Sequence, residues 1–392
     1  MARAPKKGLE LVDLASLGIF PSISGRDVDP LQGFNAAGDP VYQTVDGFDL
    51  NVLWEEFQSA VAAMNSQRQP IIDLLTFPVT DPIERVPQIS SADFEESSEY
   101  GEPRGMRPAA AYFTLGYGFK WYDLATRFTW RFLADAPMSQ VEATAALALE
   151  ADNRLMFREV MRALYTNTNR TADIQGQAVN VYALYNADGT VPPQYKSNSF
   201  LSTHTHYLTS GGAVVNSIDL DDIHEHLRHH GYSMENGVQH ILCVNSAEGK
   251  TIRTFRVATG AQHDFIPSTG QPGQFLDTGT VLFGAVQPGN SLGGLSVIGK
   301  YGNMLIIEDE MFPPGYITLV GTGGQANLNN PVGIREHSNT SLRGLRLIKG
   351  RDDSYPLIDS FYNRGFGTGV RHRGGAAVMQ ITASATYTAP TF

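Results

Sequence analysis

The stretch DDIHEHLRHHGY (221–232) places His224, His226, His229 and His230 within seven positions, and STHTHY (202–207) adds His204 and His206. With His240, seven of the chain's ten histidines fall between residues 204 and 240. Neutral imidazole is a common zinc ligand, so zinc is the first chemistry to test. The spacing argues against a site made by the helix alone. H-E-x-x-H requires a histidine four residues after His224, where Arg228 stands. On a 100° wheel Leu220, Ile223 and Leu227 form the apolar face and the four histidines diverge around it. His230 borders that face, His226 flanks it, His224 takes the opposite flank and His229 points outward. Only Asp222, His226 and one of His229 or His230 share a side, while His204 and His206 share a strand face at i, i+2. No metal, cofactor or catalytic residue is therefore expected, and a zinc site would have to combine the two sets. Capping explains the stretch more simply. Asp219 predicts an N-cap, Asp221 and Asp222 the first turn, and Arg228, His229 and His230 the last turn before Gly231. His226, His229 and His230 then become contacts expected to respond to pH near the ordinary imidazole value of about 6.5.

Other motifs fail on context. GNSLG (289–293) matches a nucleophile elbow, but Pro288 precedes it and the strand-like GLSVIG follows, where a helix is required. GLSVIGKY (294–301) nearly spells a phosphate loop, yet it ends in Tyr301 and its interior favours strand. GTGGQA (321–326) is followed by NLNNP, where a dinucleotide site needs a helix N-terminus. Glu308, Asp309 and Glu310 are consecutive at a strand end, so their carboxylates point to different sides, as solvated or contact groups do.

Composition narrows the classes further. The 392 residues are 18% charged, against about 25% in typical proteins, which leaves a surface rich in uncharged polar groups that suits extensive protein contact or, equally, a β-rich enzyme with polar loops. A net charge of −11 argues against a nucleic-acid groove. Residues 81–102 hold seven acids against one base, and residues 335–373 hold eight bases against four acids. Segments of opposite sign can meet within a subunit or between neighbours. Cys243 is the sole cysteine, which fits a reducing, cytoplasmic site of folding. No apolar run is long enough to span a membrane.

The elements that must carry these groups follow from periodicity. FDLNVLWEEFQSAVAAMN has Leu50, Leu53, Trp54, Phe57, Val61 and Met64 at helical spacing behind Asp49. The proline-rich segment from Phe77 to Pro108 predicts an extended strap. In AYFTLGYGFKWYDLATRFTWRFL (111–133) apolar residues alternate in two arms, predicting a long hairpin that turns near Tyr122 and Asp123. Such a ribbon is marginal alone and needs a partner surface. A capping box of Ser139 and Glu142 opens a helix of roughly 26 residues, some 40 Å, reaching about Tyr165. Its apolar residues run most of the way round, so it is expected to pack on more than one side. HILCVN, TVLFGAV, GLSVIG, NMLIIED and GYITLVG predict short strands, and the end SYPLIDSFYNRGFGTGVRHRGG a short helix or turn and a glycine-rich bend before a closing strand.

This order of parts resembles the major capsid proteins of tailed bacteriophages, the fold named after phage Hong Kong ninety-seven. RPAAAYFTLGYGFKWYDLATRFT resembles the extended E-loop, SQVEATAALALEADNRLMFREVMRAL the spine helix, and DLDDIHEHLRHHGYSMENGVQHILCVNS the way into the axial domain. VIGKYGNMLIIEDEMFPPGYI and YPLIDSFYNRGFGTGVRHRGGAAVMQI look like the later strands and C-terminal segment of actinobacteriophage capsid proteins. The resemblance implies an α+β phage capsid fold: an N-terminal arm and strap (1–106), an E-loop hairpin (107–136), a peripheral domain with the spine helix (137–215), and a β-rich axial domain with returning peripheral strands (216–392).

In function the resemblance implies a structural, non-enzymatic protein whose copies form hexamers and pentamers of an icosahedral head around double-stranded DNA, which it binds without sequence preference. It implies a virion location after assembly in the bacterial cytoplasm, with a portal, a scaffolding protein and decoration proteins as partners. The scaffold is expected to be separate, because the N-terminal helix is short. Phe119, Lys120, Trp121 and Arg127 of the hairpin, with Glu95, Glu96, Arg371 and Arg373 of the charged segments, are the expected inter-subunit contacts. Lys120 and Asn363 are the pair to consider for the Lys–Asn crosslink some relatives form. Two alternatives remain: an encapsulin-like compartment of the same fold, and a zinc-dependent β-rich enzyme using His204, His206 and the helix histidines.

Overall fold

The computed structural model describes residues 43–66, 69–87, 96–97, 99–102, 112–269, 288–350 and 357–392. Glu95 and the strand-like TVLFGAV lie outside them. The chain divides into two compact units: Met1–Gln67 with Trp121–Asn153 and Gly344–Arg364, and Arg68–Lys120 with Arg154–Arg343 and Gly365–Phe392. Among the described residues no helix is long and apolar enough to cross a membrane.

In the first unit the helix Leu50–Ser66 opens behind Asp49, whose carboxylate accepts from the Asn51 N–H at 2.7 Å. Leu53 packs with Leu133 and Val141, and Val61 with Ala148, Leu345 and Tyr362, so the expected apolar face is buried. Trp130–Asp135 is a short helix capped by Thr129, whose hydroxyl accepts from Phe132 N–H. The spine helix runs Met138–Tyr165. Its first N–H is met by Asp46 (3.1 Å) and it begins one residue before the Ser139 expected to cap it. Of its two halves, the portion to Asn153 buries one stripe (Val141, Ala145, Ala148, Asp152). The portion from Arg154, in the second unit, buries Met156, Phe157, Val160, Met161, Leu164 and Tyr165 and is enclosed on more than one side.

Eight strands of the second unit form one sheet. Its members are β7 (Tyr207–Thr209), β8 (Gln239–Val244), β9 (Phe265–Pro267), β10 (Ser291–Leu292), β11 (Leu295–Tyr301), β12 (Met304–Glu308), β13 (Tyr316–Thr322) and β17 (Ala376–Gln380). Their order is β10-β11-β12-β8-β13-β17-β7, with β9 on β11. Four of the apolar runs read from the sequence are the central strands β8, β11, β12 and β13, and β13 is buried along its whole length. Cys243 sits inside β8, where burial pushes its thiol up to about 12. The histidine helix, Ser217–His229, lays Leu220, Ile223 and Leu227 on this sheet as its wheel predicts. Its N-cap is Asn216 rather than Asp219. Asp219 stands at the third helical position and closes the box by accepting from the Asn216 N–H at 2.8 Å. The rejected motifs keep their strand and turn context: GNSLG and GLSVIGKY make β10 and β11, and GTGGQA runs from the end of β13 into a loop pinned by buried Asn330.

The strap and hairpin differ from expectation. Thr76–Val79 (β1) pairs in parallel with β14 (Val332–Glu336), and Ile83–Pro87 (β2) pairs with β3 (Tyr112–Gly116) in register Ile83↔Gly116 to Pro87↔Tyr112. The two-stranded ribbon is therefore β2 with β3, joined through residues 88–111. The alternating segment 120–129 is a separate strand, β4 (Lys120–Thr129), after a break at 117–119. Within the first unit β4 lies against β16 (Leu357–Val370), through Thr126 with Ser360, Arg127 with Asp359, and Asp123 with Asn363. β15 (Leu345–Lys349) flanks β16 there, Leu345 opposite Arg364. Alternation identified strands but not partners. The glycine-rich end is no bend: Gly365, Gly367 and Gly369 lie in β16, whose second half pairs with β14 in the second unit.

Candidate functional site

Three histidines come together, two from the segment before β7 and one from the end of the histidine helix. His204 and His206 flank Thr205 just before β7, and His230 is the C-cap of the histidine helix. His204 Nε2 and His230 Nε2 are 2.8 Å apart, and His206 Nε2 and His230 Nε2 are 3.0 Å apart. His206 is wholly buried, and its Nδ1 donates to the Ala376 carbonyl at 2.7 Å. Phe200 stacks on the His230 ring at 4.1 Å. Burial lowers all three imidazoles: His204 to about 4, His230 to about 3 and His206 well below its usual value. His226 stacks on His204 but commits its Nε2 to the Thr205 carbonyl. His229 stays outside, 3.2 Å from Glu225. His226 and His230 are thus turned inward, which corrects their expected role as surface contacts titrating near 6.5. A wheel extends a helix indefinitely, but His230 sits where the helix has ended, and its direction is set by the cap and by Gly231 in the left-handed region at φ +85°.

His230 also borders a cavity of about 160 Å³ with Tyr185, Arg371, His372 and Arg373. Arg373 is 4% exposed. It donates to the carbonyls of Ala183 and Leu184, to Asn186 and to Asp188 (2.8 Å), and packs on the Tyr182 and Tyr185 rings. Arg373 is therefore held within its own subunit by hydrogen bonds and ring contacts. Arg371 pairs with Glu84 at 2.8 Å and covers the Phe77 ring. One contact between the acidic and basic segments is thus internal. Glu84 belongs to the acidic segment read from the sequence, but Asp188 did not stand out, because an ion pair across long separations leaves no spacing signal.

The remaining contact candidates lie nearer the surface. Phe119 is half-buried, with the Arg335 guanidinium over its ring. Lys120, Glu96 and Trp121 are exposed, Trp121 by 45%. Arg127 is exposed while touching Asp359 at 3.3 Å. The amide of Asn363 donates to Asp123.

No protein-family model matches the chain, and no curated protein matches it. A solved structure from Mycobacterium phage Patience does, with 48% identity and a TM-score of 0.69 over 93% of this chain and 97% of that one. The chain belongs to the tailed-phage major capsid protein family. Looser likenesses are the mature capsid of bacteriophage PhiM1 (10% identity, TM-score 0.47, 81% of this chain and 88% of that one) and the holo encapsulin complex of Synechococcus elongatus (12%, 0.45, 85% and 98%). The capsid protein has the Hong Kong ninety-seven fold and forms the icosahedral shell of the virion by self-association.

The capsid subunit should be acid-sensitive through a second histidine pair. His224 and His240 rings are 4.9 Å apart. Burial lowers His224 to about 4, with smaller contributions from His240, Arg228 and His263. A group lowered on folding contributes stability that is complete above its unfolded value of about 6.5 and is lost as pH falls toward 4. Urea midpoints between pH 7 and 4.5 should therefore fall further for the native subunit than for His224→Gln, by on the order of 1 kcal/mol given its partial exposure. Parallel curves would contradict this.

Proposed function

We propose that hexamers and pentamers of this subunit tile a head shell around double-stranded DNA, held without sequence preference. Portal, a separate scaffolding protein and decoration proteins complete the assembly in the host cytoplasm, and the subunit turns over no substrate. In this reading the eight-stranded sheet with the histidine helix is the axial domain, the spine helix the peripheral domain, and the ribbon β2–β3 with residues 88–111 the E-loop. Phe119, Lys120, Trp121, Arg127, Glu95, Glu96, Arg371 and Arg373 remain proposed contact residues, and Lys120 with Asn363 the pair to examine for crosslinking.

The observation that carries the reading is the 48% identity to the phage Patience chain across nearly the whole length of both. Exposed apolar groups support it. Tyr112 on the ribbon is 62% exposed, and Trp121 and Leu124 on β4 are also exposed, as groups reserved for a neighbouring copy would be. The ribbon gives a direct test. Because Pro87 lies opposite Tyr112, an Asn-Gly link in place of residues 88–111 closes the two strands with a two-residue turn. The expected product is a folded subunit that forms no closed shells by electron microscopy. Normal shells from this variant would show that residues 88–111 are not needed at the assembly interface.

A further inference from the structure

We propose that His204, His206 and His230 form a binding site for a divalent transition-metal ion, zinc by donor preference, which ties the segment before β7 to the end of the histidine helix. Among the described residues these three are the group whose ligand atoms converge, all within 4.8 Å of one another. The lone pairs of the three rings call for a cation. The Ala376 carbonyl can only accept, so His206 carries its proton on Nδ1 and presents an unprotonated Nε2. His230 Nε2 faces that nitrogen at 3.0 Å and His204 Nε2 at 2.8 Å. The single proton of a neutral imidazole satisfies at most one contact of His230 Nε2. A cation at the centre uses all three lone pairs at once.

The dimensions and surroundings fit. Tetrahedral zinc with nitrogen bonds of about 2.0–2.1 Å separates its ligands by about 3.3 Å, so the two His230 contacts would each open by a few tenths of an ångström, and all three ligand atoms already lie within 4.8 Å of one another. The Ala376 carbonyl supplies the outer hydrogen bond that fixes the His206 ring, as such partners do in metal sites. The ligand backbones are held as well: His206 N–H donates to Tyr185 O (2.7 Å), Val378 N–H to His206 O (2.9 Å), and Ala187 N–H to His204 O (3.0 Å). Phe200 and Tyr185 face the His230 ring. Burial keeps the three imidazoles neutral, the form that binds metal. Three nitrogens leave a fourth position for water. The site is independent of shell assembly, so its failure and that of the capsid reading are separable.

The test uses the full-length chain, stripped with chelator and titrated with cobalt(II) and with zinc alone. One cobalt per chain with the absorption of a tetrahedral nitrogen site is expected, displaced by zinc, with a thermal midpoint that rises with free zinc. His230→Ala, at a helix end, and His206→Ala should each weaken binding roughly 100-fold or more. His226→Gln should retain it. Absence of a tetrahedral cobalt spectrum and of any zinc-dependent midpoint in the native chain would overturn the proposal. Binding unchanged in His230→Ala, or lost in His226→Gln, would overturn the assignment of ligands.

Discussion

Gly367→Ala is expected to prevent the subunit from reaching its folded, assembly-competent state. A Cβ at Gly367 falls on the Gly118 carbonyl, which is backbone and cannot swing aside. The neighbouring glycines complete the same floor. A Cβ at Gly369 would meet Tyr117 at 2.7 Å and the Gly116 carbonyl at 2.9 Å, and one at Gly333 would meet the Tyr117 ring at 2.5 Å. Paired β14 and β16 thus offer a surface without side chains on which residues 116–118 lie. Tyr117 is wholly buried, donates its hydroxyl to Glu84 at 2.8 Å, and has its carbonyl held by Arg335 at 3.1 Å. Overpacking ordinarily costs about 1–3 kcal/mol, and a clash with main chain belongs at or above the top of that range. Gly212→Ala is the control, since nothing lies nearer than 3.7 Å to its added Cβ. Soluble yield and urea midpoints compare the two; a Gly367→Ala subunit with native stability would contradict the packing.

Arg364→Ala should destabilise the first unit by about 3–5 kcal/mol, the usual result of stranding one member of a buried ion pair. Arg364 and Asp152 are 8% and 5% exposed and bonded to each other, joining β16 to the spine helix. Asp152 Oδ1 is buried without a partner. Burial raises the Asp152 carboxyl even against the opposing pull of Arg364, so the guanidinium compensates an already unfavourable charge. Replacing both, Arg364→Met with Asp152→Leu, should recover most of the loss, because an apolar pair removes the two desolvation costs together. Denaturation of single and double variants gives the comparison. A double variant as unstable as Arg364→Ala would show that the cost comes from packing rather than from the unpaired carboxylate.

The sequence made some levels of this structure legible and hid others for identifiable reasons. Helical periodicity located Leu50–Ser66 and Met138–Tyr165, and apolar runs located β8, β11, β12 and β13, because each signal is local. Pairing is not local. Alternation in 111–133 marked strands but said nothing of partners, and β3 turned out to pair with β2 and β4 with β16. Prolines disguised β1, where Pro78 is tolerated because β1 lies at the end of its sheet. Glycines disguised β16, where they admit another backbone instead of making a turn. The histidine cluster was half visible: His204 and His206 at i, i+2 were a readable pair, whereas the direction of His230 depends on a cap, not on a wheel.

The central claim, that this chain is a subunit built to enclose a shell with copies of itself, is tested most directly by cryo-electron microscopy of the purified protein, expressed alone and with the products of neighbouring genes. Closed icosahedral particles in which the β2–β3 ribbon overlaps an adjacent subunit are expected. A protein that remains monomeric under every assembly condition, with the ribbon folded on its own subunit, would contradict it.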